Sequence, residues 1–461
     1  MVFSSLIFLI VFLPIVLVLH SFCPLKYRNI LLLFASLFFY AWGEPVYILL
    51  MMFVIVFNWA IGKYTIGNKI ILSIAVTVNL SVLVFFKYIN FIITTYNSVF
   101  RKTVSMLDIT LPIGISFFTF QAISYIVDLY REKYAPQNDL IKLALYISFF
   151  PQLIAGPIVR YIDIEKQLTD RVITYEKTAL GIKRFIIGLS KKVLISNILG
   201  QSIDNVLSHP VKDISTLLCW ITAIMYIMQI YFDFSGYSDM AIGLGKIFGF
   251  DFPENFNMPY ISKSVCEFWR RWHISLGTWF REYLYIPLGG NRKGRTRTLI
   301  NLFVVFAATG IWHGASWNFL IWGLWHGVFC VIERIGFKSV LEKHKFLSHI
   351  YTMFVVTVGF VIFRIDNTNY LIDYIKKMFL PCISSSGLYS FFEISNHQTI
   401  VVLIIAIILS GPILLLERLN IIKKSKDNCG FLNLFLCSSL LIICIVQLVS
   451  GTYNPFIYFR F

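Results

Sequence analysis

Apolar runs recur along almost the whole chain, and no other feature limits its possible folds so strongly. They lie near Phe3–Leu19, Asn29–Tyr40, Val46–Ile61, Ile70–Phe86, Leu111–Val127, Leu140–Ile154, Ala179–Leu199, Ser215–Tyr231, Leu299–Trp312, Trp317–Ile332, His349–Phe363, Ile400–Leu416 and Leu432–Val449. A helix needs roughly 17–25 mostly apolar residues to cross a bilayer, so the runs predict on the order of eleven to thirteen helices, some too short or too polar to cross alone. Backbone in hydrocarbon must satisfy its own hydrogen bonds, which leaves helices or closed barrels. No run sustains the alternation of barrel strands. The chain therefore reads as an all-α, polytopic membrane protein. Only 14% of its 461 residues are charged, against about 25% in soluble domains. That is too few to coat a water-exposed surface, and it excludes cytosolic enzymes, secreted modules and disordered tails.

The charge is +16, from 40 Lys and Arg against 24 Asp and Glu. In a membrane protein this excess marks cytoplasmic loops and contact with anionic lipid headgroups. These charges are spread among apolar runs, which argues against nucleic acid. The run Val2–Leu19 lacks a basic n-region and an obvious small-x-small cleavage site, so it reads as a retained first span. The cysteines form no Cys-x-x-Cys pair and the histidines no His-Glu-x-x-His pattern, so no metal is expected. No linker separates domains, and residues 1–461 read as a single integral membrane domain.

Two segments depart from plain spans. Leu140–Val159 contains Pro151, Gln152 and Gly156-Pro157. Broken backbone at membrane depth survives only when buried in protein or lining a wet cavity, so this segment predicts re-entry and an internal cavity. Lys263–Arg297 carries eight basic residues and two acids, which places it on the cytoplasmic side. Its aromatics, from Phe268 to Tyr285, suit an interfacial amphipathic helix.

Chemistry concentrates in four places. Gly310-Ile-Trp-His313-Gly314 recurs 13 positions on as Gly323-Leu-Trp-His326-Gly327. Glycines four apart admit a second backbone closely, so each histidine sits beside a tight, Trp-walled packing site with Trp317 between the motifs. A histidine at membrane depth is either a structural hydrogen bonder or a general base poised near neutrality. Next, Asp233, Ser235, Tyr237 and Asp239 interrupt the apolar run after Gln229. That polar stripe either lines a substrate cleft or fixes the bundle by hydrogen bonds. Then Asn255 and Asn257 form a polar turn before Glu267-Phe-Trp-Arg270-Arg271-Trp-His273. Basic and aromatic side chains together either bind the phosphates and adenine of coenzyme A or anchor anionic lipids. His273 reads as part of that basic surface. Finally, Tyr458 lies in the closing Phe-Ile-Tyr-Phe-Arg-Phe, as an interfacial belt residue or as a hydroxyl able to carry a group covalently.

With these residues in view, the chain resembles the membrane-bound O-acyltransferase family, and within it the alginate O-acetylation protein I branch of polysaccharide acetylation systems. The likeness rests on LPIGISFFTFQAISYIVDLYR, FFPQLIAGPIVR, the stretch from YFDFSGYSDMAIGLG to YIPLGGNR, GIWHGASWNFLIWGLWHG and FIYFRF. It implies helices around a central funnel and a catalytic core of about residues 105–335. It implies no permanently bound cofactor, and acetyl-coenzyme A as donor. The family's essential histidine falls on His313 and its second on His326. The resemblance further implies a multi-pass protein of the bacterial cytoplasmic membrane. It passes acetyl groups outward to a separate extracytoplasmic, SGNH hydrolase-like acetyltransferase for transfer to a polysaccharide such as alginate, cellulose or a cell-wall glycan. The substrate-binding residues expected are Asp233, Ser235, Tyr237, Asp239, Asn255, Asn257, Arg270, Arg271 and Trp317, with Tyr458 as an acyl carrier. D-alanyl transfer from an acyl carrier protein to teichoic acid, and a transporter or scaffold without bond chemistry, stand as alternatives.

Overall fold

The computed structural model describes residues 1–380, 391, 396–413, 430–451 and 453–455. Every regular element among these residues is helical. Five helices are long and apolar enough to cross a membrane: Lys69–Phe100, Thr216–Ile247, Trp317–Lys343, Lys345–Arg364 and Leu432–Ser450. Four shorter apolar helices, Ile7–Phe22, Ile48–Gly62, Ile115–Tyr130 and His397–Leu409, accompany them. Polar caps set several starts. Asn68 accepts from the N–H groups of Ile70 and Ile71, Asp139 from Ile141, and Ser264 from Glu267. Each satisfies donors that a helix leaves unpaired at its N-terminus.

The chain divides into two compact units. One comprises residues 1–185 and 237–254. An aromatic cluster of Phe3, Phe8, Phe12, Phe39 and Phe150 packs within it, and Tyr237 stacks on Phe3 at 4.6 Å. Asn58 and Asn79 exchange amide hydrogen bonds of 3.0 and 2.9 Å, which satisfies two buried amides between apolar helices. The segment around Pro151 is broken as its sequence predicts. Helix Leu140–Ser148 ends at Phe149 in an extended conformation, and a single turn, Phe150–Leu153, precedes Gly156 at φ +110°.

The other unit comprises residues 186–236 and 255–461. Its buried Lys192 and Asp233 form an ion pair at 2.5 Å. The Lys263–Arg297 segment differs from the expected interfacial helix. It is broken into Val265–Arg271 and Ile274–Phe280, the latter running on without a break into Arg281–Tyr285, before a long helix begins at Gly294. The first break is at His273, in the left-handed conformation at φ +46°. Phe268, Trp272, Trp279 and Phe280 are buried. A straight helix would turn only one apolar stripe inward; the breaks let aromatics on several faces reach the core.

Candidate active site

Helices Gly294–His313 and Trp317–Ile332 form an antiparallel hairpin closed by Gly314–Ser316, with Ser316 capping the second helix. The repeated glycines explain how tightly it closes. A Cβ on Gly310 would lie 2.4 Å from the carbonyl oxygen of Phe319 and 3.2 Å from Cα of Gly323. One on Gly323 would lie 2.4 Å from the carbonyl oxygen of Phe306. The second backbone that each motif admits is therefore that of the other motif. This crossing places His313 at the end of one helix and His326 inside the next, both buried.

Trp322 bridges the two histidines. Its ring lies 4.9 Å from that of His313 and 5.4 Å from that of His326, edge to face in both cases. Phe363 and Trp312 also border His313. Trp269 borders His326 at 4.9 Å and Trp322 at 5.4 Å. Neither ring nitrogen of His326 has a hydrogen-bond partner among the described residues. Gly359 makes room for this ring, since a Cβ there would meet His326 Nε2 at 2.4 Å.

His273 is a third histidine at this place, and the sequence reading put it on a surface instead. It is buried, with Phe234 at 4.6 Å and Trp312 at 6.2 Å. Asn255 Oδ1 gathers His273 Nδ1 at 3.1 Å, Ser275 Oγ at 2.8 Å and the Ser275 N–H at 3.3 Å. A carbonyl oxygen only accepts, so this partner assigns the proton to Nδ1 and leaves Nε2 with its lone pair. Burial first, and then the charge of neighbouring His313, hold His273 well below the usual histidine range. His273 lies outside the candidate spans.

A cavity of about 1130 Å³ opens beside these rings. Its lining includes Arg270, Arg281, Arg292, Lys293, Arg334 and Lys338, with Glu333 as the acid among the charged lining groups. The Glu333 carboxylate is already engaged, accepting from the Val265 and Cys266 N–H groups at 2.6 and 3.0 Å. The cavity is thus strongly cationic, and its volume suits a cofactor-sized ligand. Trp269 belongs to its wall, so one indole touches both the basic cavity and the histidine cluster.

The other expected residues are distributed differently. Arg270 lines the cavity, whereas Arg271 pairs with Glu267 at 2.9 Å and donates to the Asn257 carbonyl. Burial alone would raise the Glu267 carboxyl, but the Lys263 N–H and Arg271 hold it below the usual carboxylate range. Asn257 is exposed in a turn, and Trp317 is 52% exposed. Asp233 is bound to Lys192 and accepts from Ser196 Oγ at 3.1 Å; Ser235 is buried nearby on the same helix. Lys192 also donates to the Pro455 carbonyl. Tyr237 and Asp239 belong to the first unit, where Asp239 and Glu254 share Arg184 at 2.9 and 2.5 Å. Tyr458 lies outside the described residues.

Residues 53–372 match the membrane-bound O-acyltransferase family. The chain is 38% identical to the probable alginate O-acetylase AlgI of Pseudomonas putida over the full length of both proteins. It is 45% identical to that of Pseudomonas aeruginosa over 80% of this chain and 72% of the relative. It is 35% identical to the peptidoglycan O-acetyltransferase of Helicobacter pylori over 82% of this chain and 80% of the relative.

Proposed function

The chain belongs to the membrane-bound O-acyltransferase family and is a multi-pass membrane O-acyltransferase, and from that premise we propose that it takes acetyl groups from cytoplasmic acetyl-coenzyme A for the O-acetylation of an extracytoplasmic polysaccharide. The observation that carries this reading is the cationic cavity whose wall, Trp269, is in ring contact with His326 and with Trp322, the residue that bridges to His313. Coenzyme A is a polyanion with a flat base and a thin thioester arm. Guanidinium groups bind phosphates with forked hydrogen bonds, and an excess of Lys and Arg favours a cytoplasmic opening. The names of the relatives, alginate and peptidoglycan acetylating enzymes, favour acetyl as the group and a polysaccharide as its destination. The cytoplasmic membrane and an extracytoplasmic acetyltransferase partner follow from the same reading.

In the reaction, His313 takes the proton of an acceptor hydroxyl as its oxygen attacks the thioester carbonyl carbon. The C–S bond breaks and coenzyme A leaves as the thiol. A positioned base of this kind contributes typically ~10²–10⁴-fold. His326 sits across Trp322 and assists. The first acceptor is a hydroxyl, of the partner or of Tyr458.

The test is thiol release from acetyl-coenzyme A by detergent-purified protein, wild type beside His313→Ala. Release that falls ~10²-fold or more in the folded variant is expected. Equal release by both rejects His313 as the base. No release by wild type even with a partner acetyltransferase added rejects the donor, and an acyl carrier protein is tested next.

A further inference from the structure

Elsewhere in this protein, half-buried indoles find a backbone acceptor for their N–H. Trp325 donates to the Val355 carbonyl at 2.9 Å, Trp220 to that of Met378 at 2.9 Å, and Trp59 to that of Asn138 at 3.2 Å. At the histidine cluster the pattern changes. Nε1 of Trp269, Nε1 of Trp322 and both ring nitrogens of His326 are buried without a hydrogen-bond partner among the described residues. The three rings touch one another, with centroids 5.4 Å apart for the two indoles and 4.9 and 5.4 Å from each indole to His326. Native proteins leave few buried donors unmade, and each exception needs a reason. Several exceptions in mutual contact, one of them, Trp269, in the wall of a cavity, point to a ligand atom that completes them.

We propose that the indole N–H groups of Trp269 and Trp322 are the donors that hold the thioester carbonyl oxygen and stabilise its oxyanion. The proposal rests on the acyl-transfer reading given above. An indole nitrogen donates and cannot accept, so these groups suit a carbonyl oxygen that gains negative charge. They offer nothing to the hydroxyl proton of the acceptor, which goes to His313. Trp269 lines the cavity and meets the acyl end of the donor first, while Trp322 lies against His313. As the acceptor oxygen bonds to the carbonyl carbon, the π electrons move onto the carbonyl oxygen between the two N–H groups. Collapse of the adduct restores the C=O bond and expels the coenzyme A thiolate, which takes a proton. His326, when neutral, adds one further N–H. Fixed donors aimed at developing charge in a site shielded from water are among the strongest catalytic devices.

The experiment replaces each tryptophan with β-(3-benzothienyl)alanine, which keeps the bicyclic shape but has sulfur in place of N–H. Trp269→Phe and Trp322→Phe serve as the genetically simple variants. Thiol release from acetyl-coenzyme A gives kcat and KM. The expected result is a ~10²–10³-fold loss in kcat per donor, with little change in KM. Retention of kcat by both benzothienyl variants overturns the proposal. So does a rise in KM at unchanged kcat, which assigns the indoles to ground-state packing. A second readout is the infrared band of bound acetyl-coenzyme A carrying a ¹³C carbonyl. Its hydrogen-bonded shift is expected in wild type and in His313→Ala, and is expected to weaken in the benzothienyl variants; an unshifted band in wild type refutes the donors. Wild-type protein that neither releases thiol nor binds acetyl-coenzyme A overturns the donor reading itself.

Discussion

The Lys192–Asp233 pair offers the sharpest test of what polar groups do inside this bundle. The two charges lie 2.5 Å apart, with side chains 2% and 1% exposed. At an effective dielectric constant of about 20, their attraction is about 7 kcal/mol. Removing each ion from water costs several kcal/mol, so the pair as a whole is close to neutral for stability. Breaking it is not. Lys192→Met leaves a buried Asp233 carboxylate without its counter-ion and removes the donor to the Pro455 carbonyl. Asp233→Leu leaves a buried ammonium without its carboxylate. Each single change is expected to cost about 3–5 kcal/mol, and the double change Lys192→Met/Asp233→Leu to return most of that loss. Unfolding of purified protein in a denaturing-detergent titration, followed by tryptophan fluorescence, measures the cycle. Two singles within about 1 kcal/mol of wild type would refute the reasoning, as would a double variant no more stable than the worse single. The double variant also separates structure from chemistry. If it folds like wild type yet releases no thiol, the pair serves the reaction as well as the fold.

Three further outcomes follow from the geometry. Gly323→Ala places a methyl 2.4 Å from the Phe306 carbonyl oxygen; overpacking of this kind costs about 1–3 kcal/mol, read in the same titration, and a variant as stable as wild type would refute the close crossing. Replacing Arg281 and Arg292 together with Gln is expected to raise KM for acetyl-coenzyme A several-fold with kcat retained, and added salt is expected to narrow the gap from wild type; unchanged KM at low salt removes the phosphates from the cavity. His273 is held below its unfolded pKa of about 6.5, so the unfolded chain binds the proton first and stability falls as pH drops below that value; His273→Gln is expected to flatten this part of the pH–stability curve, and an unaltered curve would show that His273 is not the group responsible.

What the sequence made legible was local and periodic. The apolar runs specify membrane helices because hydrocarbon leaves the backbone few options, and the repeated Gly-x-Trp-His-Gly specifies a close crossing because only glycine tolerates a carbonyl oxygen 2.4 Å from its missing Cβ. The same pattern did not say that the two motifs cross each other, since a glycine pair marks an approach without naming the backbone that approaches. His273 escaped for a related reason. Beside Arg270 and Arg271 it reads as surface, but it stands in the left-handed conformation at φ +46° after the helix that carries those arginines, its ring packs on Phe234 and Trp312, and its partner Asn255 is 18 residues upstream. No helical period links the two. The polar stripe shows the limit most clearly. Asp233 and Asp239 are six residues apart on one helix and look alike in sequence, yet one is sealed against Lys192 and the other shares Arg184 with an exposed glutamate. Sequence reports that a buried charge exists. Only the fold reports which opposite charge answers it, and that pairing decides whether a carboxylate in a membrane bundle is free for chemistry or already spent on holding helices together.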